Sequence, residues 1–337
     1  MTQSAPLDLR RGGYFRCPSY GIIRRAVLEG SEGAEDGVPL LFKRLSLPSR
    51  TLAALLSLIA IVVTGAAEAS TVIQGQNALA GTDTKITGTL TAMPAGQPTD
   101  VKIEVRLSQT GQAKPITKYD SDLGKAMHVI AISEDFSVFI HHHVDHVIDG
   151  NGQVRIRFPK PALYHIYVDA MPHGLGQQVL RFDLPVGDAP AAPPPKLEPG
   201  ILAAESGPFQ VTFDSLDLTA GAPSMLTLHI AENGKPAKDL KPFLGVGAHV
   251  VLIAADGLDY VHVHPMAAGA MGGHEHETAG MAGHDMPGMA MPDPAKSAIS
   301  PDMMLHVAVP KPGLYKLWVQ FDGGRTLYTL PFVAAAH

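Results

Sequence analysis

Compared with itself, the chain repeats at a fixed offset of 121 residues. Leu123-Gly124 falls on Leu244-Gly245, His128-Val129 on His249-Val250, Ile132 on Ile253, Asp135 on Asp256, Phe139 on Tyr260, His141 on His262 and His143 on His264. Farther along the offset becomes 151, with Pro159-Lys160-Pro161 on Pro310-Lys311-Pro312, Leu163-Tyr164 on Leu314-Tyr315 and Tyr167 on Trp318. The change of 30 residues places one insertion in the second copy, over residues 267–296. Such a chain is expected to fold as two copies of one module, each of ordinary domain size.

Each copy consists of short alternating or apolar runs, such as Val101 to Leu107, Met127 to Ile132, Val154 to Phe158, Leu163 to Val168 and Val179 to Leu184, separated by Gly, Pro, Asn and Asp. Long helical periodicity is absent, and runs of this length and spacing predict an all-β sandwich. Residues 188–200 contain Ala-Pro-Ala-Ala-Pro-Pro-Pro, which supports neither a helix nor a sheet ladder and predicts an extended, semi-rigid linker. The expected organisation is therefore repeat 1 over 70–187, the linker, and repeat 2 over 201–337 with its insertion. Pro310 to Tyr315 resembles the strand entry with an anchoring Tyr of immunoglobulin-like sandwiches, which implies two tandem immunoglobulin-like β-sandwich domains.

Before repeat 1, Lys43, Arg44 and Arg50 precede an apolar run from Leu52 to Val63, followed by Ala67-Glu68-Ala69. That is the order of a secretory signal with its cleavage site. The run is shorter than the ~20 apolar residues of a membrane span. Residues 1–69 thus read as an N-terminal extension and signal peptide, and the mature chain is expected to start near Ser70, in the periplasm or secreted, with no membrane span after cleavage. The unusual length before the signal suggests a start site set too far upstream, with Val38 an alternative. Cleavage would remove Cys17, the single cysteine, and keep all 16 histidines. Disulfides and thiolate metal sites are then excluded from the mature protein. A formal net charge of −6 without a basic stripe argues against nucleic-acid binding.

Two groups of residues carry metal-binding chemistry. The insertion holds Met271, His274, His276, His284, Met286, Met289 and Met291 among Gly, Ala, Pro and Asp, with nothing to pack a core. Thioether sulfur suits Cu(I) and imidazole accepts either copper state, so this loop is a candidate copper site. The competing view is a low-complexity surface insertion that happens to be rich in Met and His. The second group is the His-x-His pair, His141 and His143 in repeat 1 and His262 and His264 in repeat 2. Alternate strand residues share a face, so each pair offers two imidazoles suited to Cu(II), Zn(II) or Ni(II). His142 and His146 would add ligands in repeat 1 only. Exposed strand-end histidines with ordinary hydrogen bonds are the alternative.

A hairpin argument enlarges the second group. Met127 to Ile132 and the run from Val138 read as antiparallel strands joined by a four-residue loop, Glu134 to Ser137, a common choice. Ser133 then pairs with Val138, His128 with His143 and Ile130 with His141, and directly opposed residues share a face. The expectation is a three-imidazole cluster of His128, His141 and His143, transferred by the repeat to His249, His262 and His264. A loop one residue longer would turn His128 away.

His284-Asp285-Met286-Pro287-Gly288-Met289-Ala290-Met291 resembles the Met/His runs of periplasmic copper-resistance proteins. Tyr260-Val261-His262-Val263-His264-Pro265 and Lys311-Pro312-Gly313-Leu314-Tyr315 resemble a family of uncharacterised secreted His-x-His-Pro β-domain proteins that tend to occur with heavy-metal resistance. Repeat 1 departs from it, with Val144 in place of the Pro and Ala162 in place of the Gly. The resemblances imply an exported metal-binding protein that sequesters copper or delivers it to a transporter or other envelope protein. A non-metal interaction module of an envelope complex is the competing reading. No Gly-x-Ser-x-Gly elbow, His-Glu-x-x-His, phosphate loop or cysteine nucleophile is present, so an enzyme is not expected.

Overall fold

The computed structural model describes residues 70–79, 81–97, 99–120, 125–188, 190–193, 195–267 and 299–337. All of them fall within one compact unit spanning Ala66–His337. The expected signal peptide and the Met/His residues of the insertion lie outside the described residues. Among the described residues no helix is long and apolar enough to cross a membrane.

Every main element is a β-strand. Repeat 1 contains β1 (Thr71–Gln74), β2 (Ile86–Pro94), β3 (Asp100–Gln109), β4 (Met127–Ser133), β5 (Phe139–Val144), β6 (Asn151–Arg157), β7 (Ala162–Ala170) and β8 (Gln178–Val186). Repeat 2 contains β9 (Ala203–Ser206), β10 (Phe209–Phe213), β11 (Pro223–Glu232), β12 (His249–Ala254), β13 (Tyr260–Val263), β14 (Asp302–Ala308), β15 (Gly313–Asp322) and β16 (Leu327–Ala336). In repeat 1 the sheets run β1-β2-β3-β6 and β8-β7-β4-β5, and in repeat 2 β9-β10-β11-β14 and β16-β15-β12-β13, each extended by a two-residue edge pairing. This is the same two-sheet sandwich twice, with the chain crossing between sheets at β3–β4, β5–β6 and β6–β7. Tyr164 and Tyr315 are fully buried, and their hydroxyls donate to the carbonyls of Lys160 and Lys311 at 2.9 and 2.8 Å. These are the tyrosine corners of immunoglobulin-like sandwiches, so the Tyr expected to anchor the strand does so in both repeats.

The insertion point has a simple local cause. In repeat 1 the edge pair Val147–Ile148 returns to β6 through Asp149-Gly150, both at positive φ (51° and 80°), the two-residue turn that Asp-Gly favours. In repeat 2 the edge pair Met266–Ala267 leads into the insertion and pairs with Met304 and Met303 of β14. The insertion therefore begins at the end of an edge pairing, at the connection that repeat 1 closes with a two-residue turn.

Strands β4 and β12 explain how the two sandwiches meet. An antiparallel strand with one solvated face alternates apolar and polar, yet every residue of β4 and of β12 is buried. Met127, Val129 and Ala131 fill the core of sandwich 1, and Val250, Leu252 and Ala254 that of sandwich 2. The opposite faces, Ile130 and Ile132 on one strand and Val251 and Ile253 on the other, join Phe136, Tyr167, Tyr260 and Trp318 in a third cluster drawn from both repeats. The two β4/β12 sheets thus pack face to face, related by an internal pseudo-twofold. Phe139 stacks on Trp318 at 5.1 Å between ring centroids, and the equivalent pair, Tyr260 and Tyr167, stacks at 5.3 Å. Reciprocal pairing of this kind is the signature of an isologous interface. The described part of the linker holds no strand or helix. It lies along this interface, with Leu197 against the shared cluster and the Ala192 amide donating to Glu134 at 3.0 Å.

Candidate metal centre

The hairpin register is the one the loop length predicts. The Ser133 amide donates to the Val138 carbonyl at 3.2 Å, and Ile132 faces Phe139, Ile130 faces His141 and His128 faces His143. In repeat 2, Ile253 faces Tyr260, Val251 faces His262 and Val250 faces Val263, so the same ladder carries His249 toward His264. Each repeat gathers three imidazoles on its interface side. Ring centroids of His143 lie 4.7 Å from His128 and 4.4 Å from His141, and those of His264 lie 4.8 Å from His249 and 4.6 Å from His262.

The two clusters are not separate sites, as the sequence reading had them. Because the sheets face each other, the histidines meet across the pseudo-twofold, His128 to His262 at 5.1 Å and His141 to His249 at 5.2 Å between centroids. Four of them, His128, His141, His249 and His262, place one ligand atom each within 4.8 Å of all the others, a set that could hold a metal ion. Within each repeat the inward nitrogens, His128 Nδ1 with His141 Nε2 and His249 Nδ1 with His262 Nε2, are 3.2 Å apart. A tetrahedral ion with nitrogen ligands at about 2.0–2.1 Å has ligand edges of about 3.3 Å, so each repeat already supplies one edge. His143 and His264 pack against this set as flanking rings, and Nε2 of His143 is buried with no hydrogen-bond partner among the described residues. His142 pairs with Val129, whose side chain is in the sandwich core, and so points away from the cluster. His146 does not join it either.

The outward nitrogens show how the rings are oriented. His141 Nδ1 lies 3.0 Å from Gln320 Oε1, whose amide nitrogen is committed to Thr329 Oγ1 at 3.1 Å. His249 Nε2 lies 3.1 Å from the Phe243 carbonyl, and His262 Nδ1 3.4 Å from Asp169 Oδ2. All three partners are acceptors, so these nitrogens donate and the inward His141 Nε2, His249 Nδ1 and His262 Nε2 present lone pairs. In repeat 2 two lone pairs then face each other at 3.2 Å, an arrangement that calls for a cation between them, either a proton or a metal ion. Metal-ligating histidines characteristically donate their second nitrogen in this way. Burial, reinforced by the neighbouring imidazoles His143, His262, His249 and His128, holds His141 well below the usual histidine range. Burial and then His262 and His264 bring His249 down to about 2, and burial and then His128 bring His143 down to about 3. Neutral imidazole is the metal-binding form.

Sequence reasoning missed the outer partners Asp169, Gln320 and Phe243. The 151-residue offset does align Asp169 with Gln320, two residues beyond the aligned Tyr167 and Trp318 and so on the same strand face. Three further histidines are held elsewhere: His165 at 2.7 Å from Asp183, His173 at 2.7 Å from Asp120, and His229 between Asp302 and Asp214 at 2.7 and 3.2 Å. Both nitrogens of His229 face carboxylates, and the Asp302 bond raises its pKa. Met271, His274, His276, His284, Met286, Met289 and Met291 lie outside the described residues.

Fold and site together define a tandem β-sandwich protein with a buried, all-imidazole cluster at the seam of its two repeats. The chain belongs to the family described as "Domain of unknown function (DUF8832)", whose model matches residues 78–187 and 204–337. No curated protein matches it. Among solved structures it is similar to invasin, a bacterial integrin-binding protein, at 10% identity and a TM-score of 0.18, over 79% of this chain and 39% of that one. The chain thus spans well under half of that structure.

Proposed function

We propose that this is an exported metal-handling protein that holds copper, in sequestration or for delivery to an envelope partner. The observation that carries this reading is the convergence of His128, His141, His249 and His262, with ligand atoms within 4.8 Å of one another. Four imidazole nitrogens suit Cu(II) or Zn(II) rather than calcium or magnesium, which take oxygen ligands. Copper is favoured over zinc by the Met-rich insertion of the same chain, whose thioethers suit Cu(I). Four protein ligands in a buried site leave no open coordination position, the pattern of holding a metal rather than of catalysis at it. The signal-like segment before Ser70 supports export. Metal analysis of protein purified from the envelope fraction of copper-supplemented cells tests the reading. Near-stoichiometric copper is expected, and metal-free protein that takes up none on titration would leave the interaction-module reading in its place.

A further inference from the structure

The two halves of the imidazole cluster are alike in their histidines and unlike in what stands behind them. Behind His141 of repeat 1 stands Gln320 of repeat 2, and behind His262 of repeat 2 stands Asp169 of repeat 1, the residue equivalent to Gln320. Asp169 is 3% exposed. Its carboxylate accepts from the Gln177 amide at 3.0 Å to each oxygen, from the Tyr260 hydroxyl at 3.1 Å and from His262 at 3.4 Å. Among the described residues no Lys or Arg lies within ion-pair distance of it, and His262 stands against it at 3.4 Å. A buried carboxylate is costly unless a positive charge answers it.

Resting on the reading of the cluster as a metal centre, we infer that Asp169 is a positioning residue that supplies a compensating charge to the centre through His262, while Gln320 is its neutral counterpart behind His141. Four neutral imidazoles do not lower the charge of a divalent ion, and Asp169 brings a carboxylate onto one of the four ligands, His262. Hydrogen bonding to Asp169 fixes the His262 ring and strengthens its hold on an ion, as a carboxylate does for a metal-bound histidine. The ion is therefore gripped more firmly by the repeat 2 half, and the charge comes from across the interface, so the tight state needs both repeats in place.

The test uses the full chain with His274, His276 and His284 changed to Ala, so that Zn(II), titrated against a chromophoric chelator, reports on the buried cluster. Asp169→Asn keeps the shape and is expected to weaken Zn(II) binding about 10- to 100-fold, the usual effect of losing an outer partner. Gln320→Glu places a carboxylate behind His141 and is expected to tighten binding, and the double variant to recover most of the Asp169→Asn loss. A purely structural Asp169 gives no such recovery from a residue in the other repeat. Zn(II) affinity within twofold of the parent for Asp169→Asn, or a folded double variant no tighter than Asp169→Asn, overturns the inference while leaving the metal centre standing. A parent that binds no Zn(II) overturns both.

Discussion

The face-to-face packing of the two sandwiches can be tested through Ile132, which lies in repeat 1 and is fully buried in the shared cluster with Trp318 of repeat 2. Ile132→Ala removes three carbons. At about 0.8 kcal/mol per buried CH2 the transfer cost alone is about 2.4 kcal/mol. The cavity left behind brings such substitutions to about 2–5 kcal/mol. Ile253→Ala, the equivalent change in repeat 2, should cost a similar amount, because it is fully buried in the same cluster, where Tyr260 and Tyr167 correspond to Phe139 and Trp318. Trp318 is the chain's single tryptophan and is 3% exposed, so urea unfolding followed by its fluorescence reads the interface directly. One cooperative transition is expected, coincident with far-UV circular dichroism, with both variants shifted to lower urea and the Ile132→Ala change visible in the emission of the other repeat. Two separated transitions, or an Ile132→Ala cost below about 1 kcal/mol with unchanged Trp318 emission, would show that this face is not a packed interface.

Deleting Ala267 to Lys296 should leave a folded protein, since repeat 1 closes the same connection with Asp149-Gly150, and should remove most Cu(I) capacity in chelator competition; unchanged capacity would reject the insertion as a copper site. His262→Ala should lower Cu(II) or Zn(II) affinity by more than the ~10–100-fold typical of an outer partner, whereas His264→Ala, outside the four-ligand set, should cost less; equal losses would bring His264 into the first coordination sphere. Apo-protein stability should fall with acid. His141 and His249 stay neutral when folded but protonate when unfolded below about pH 6.5, removing up to about 1.4 kcal/mol per pH unit for each. Urea midpoints equal at pH 7.5 and 5.5 would contradict this.

Much of the architecture is legible in the chain because the repeat supplies every signal twice. The hairpin register followed from loop length and the period of two, and that alone put His128 on the same face as His141 and His143. The joining of the two halves was harder to see. An apolar run such as Met127 to Ile132 reads as a strand buried on both faces, but period and propensity do not say what covers the second face. Here the cover is the other repeat, through Phe139, Tyr167, Tyr260 and Trp318. Asp169 and Gln320 escaped notice for a related reason: their partners are histidines of the opposite repeat, His262 and His141, and nothing local in β7 or β15 points to them.

The central claim is that histidines of both repeats make one site, and native mass spectrometry of Zn(II)- or Cu(II)-loaded protein lacking Ala267 to Lys296 tests it most directly. One ion per chain is expected, lost alike on changing His128 to Ala in repeat 1 or His249 to Ala in repeat 2. Two ions per chain, with each substitution removing one and sparing the other, would contradict it.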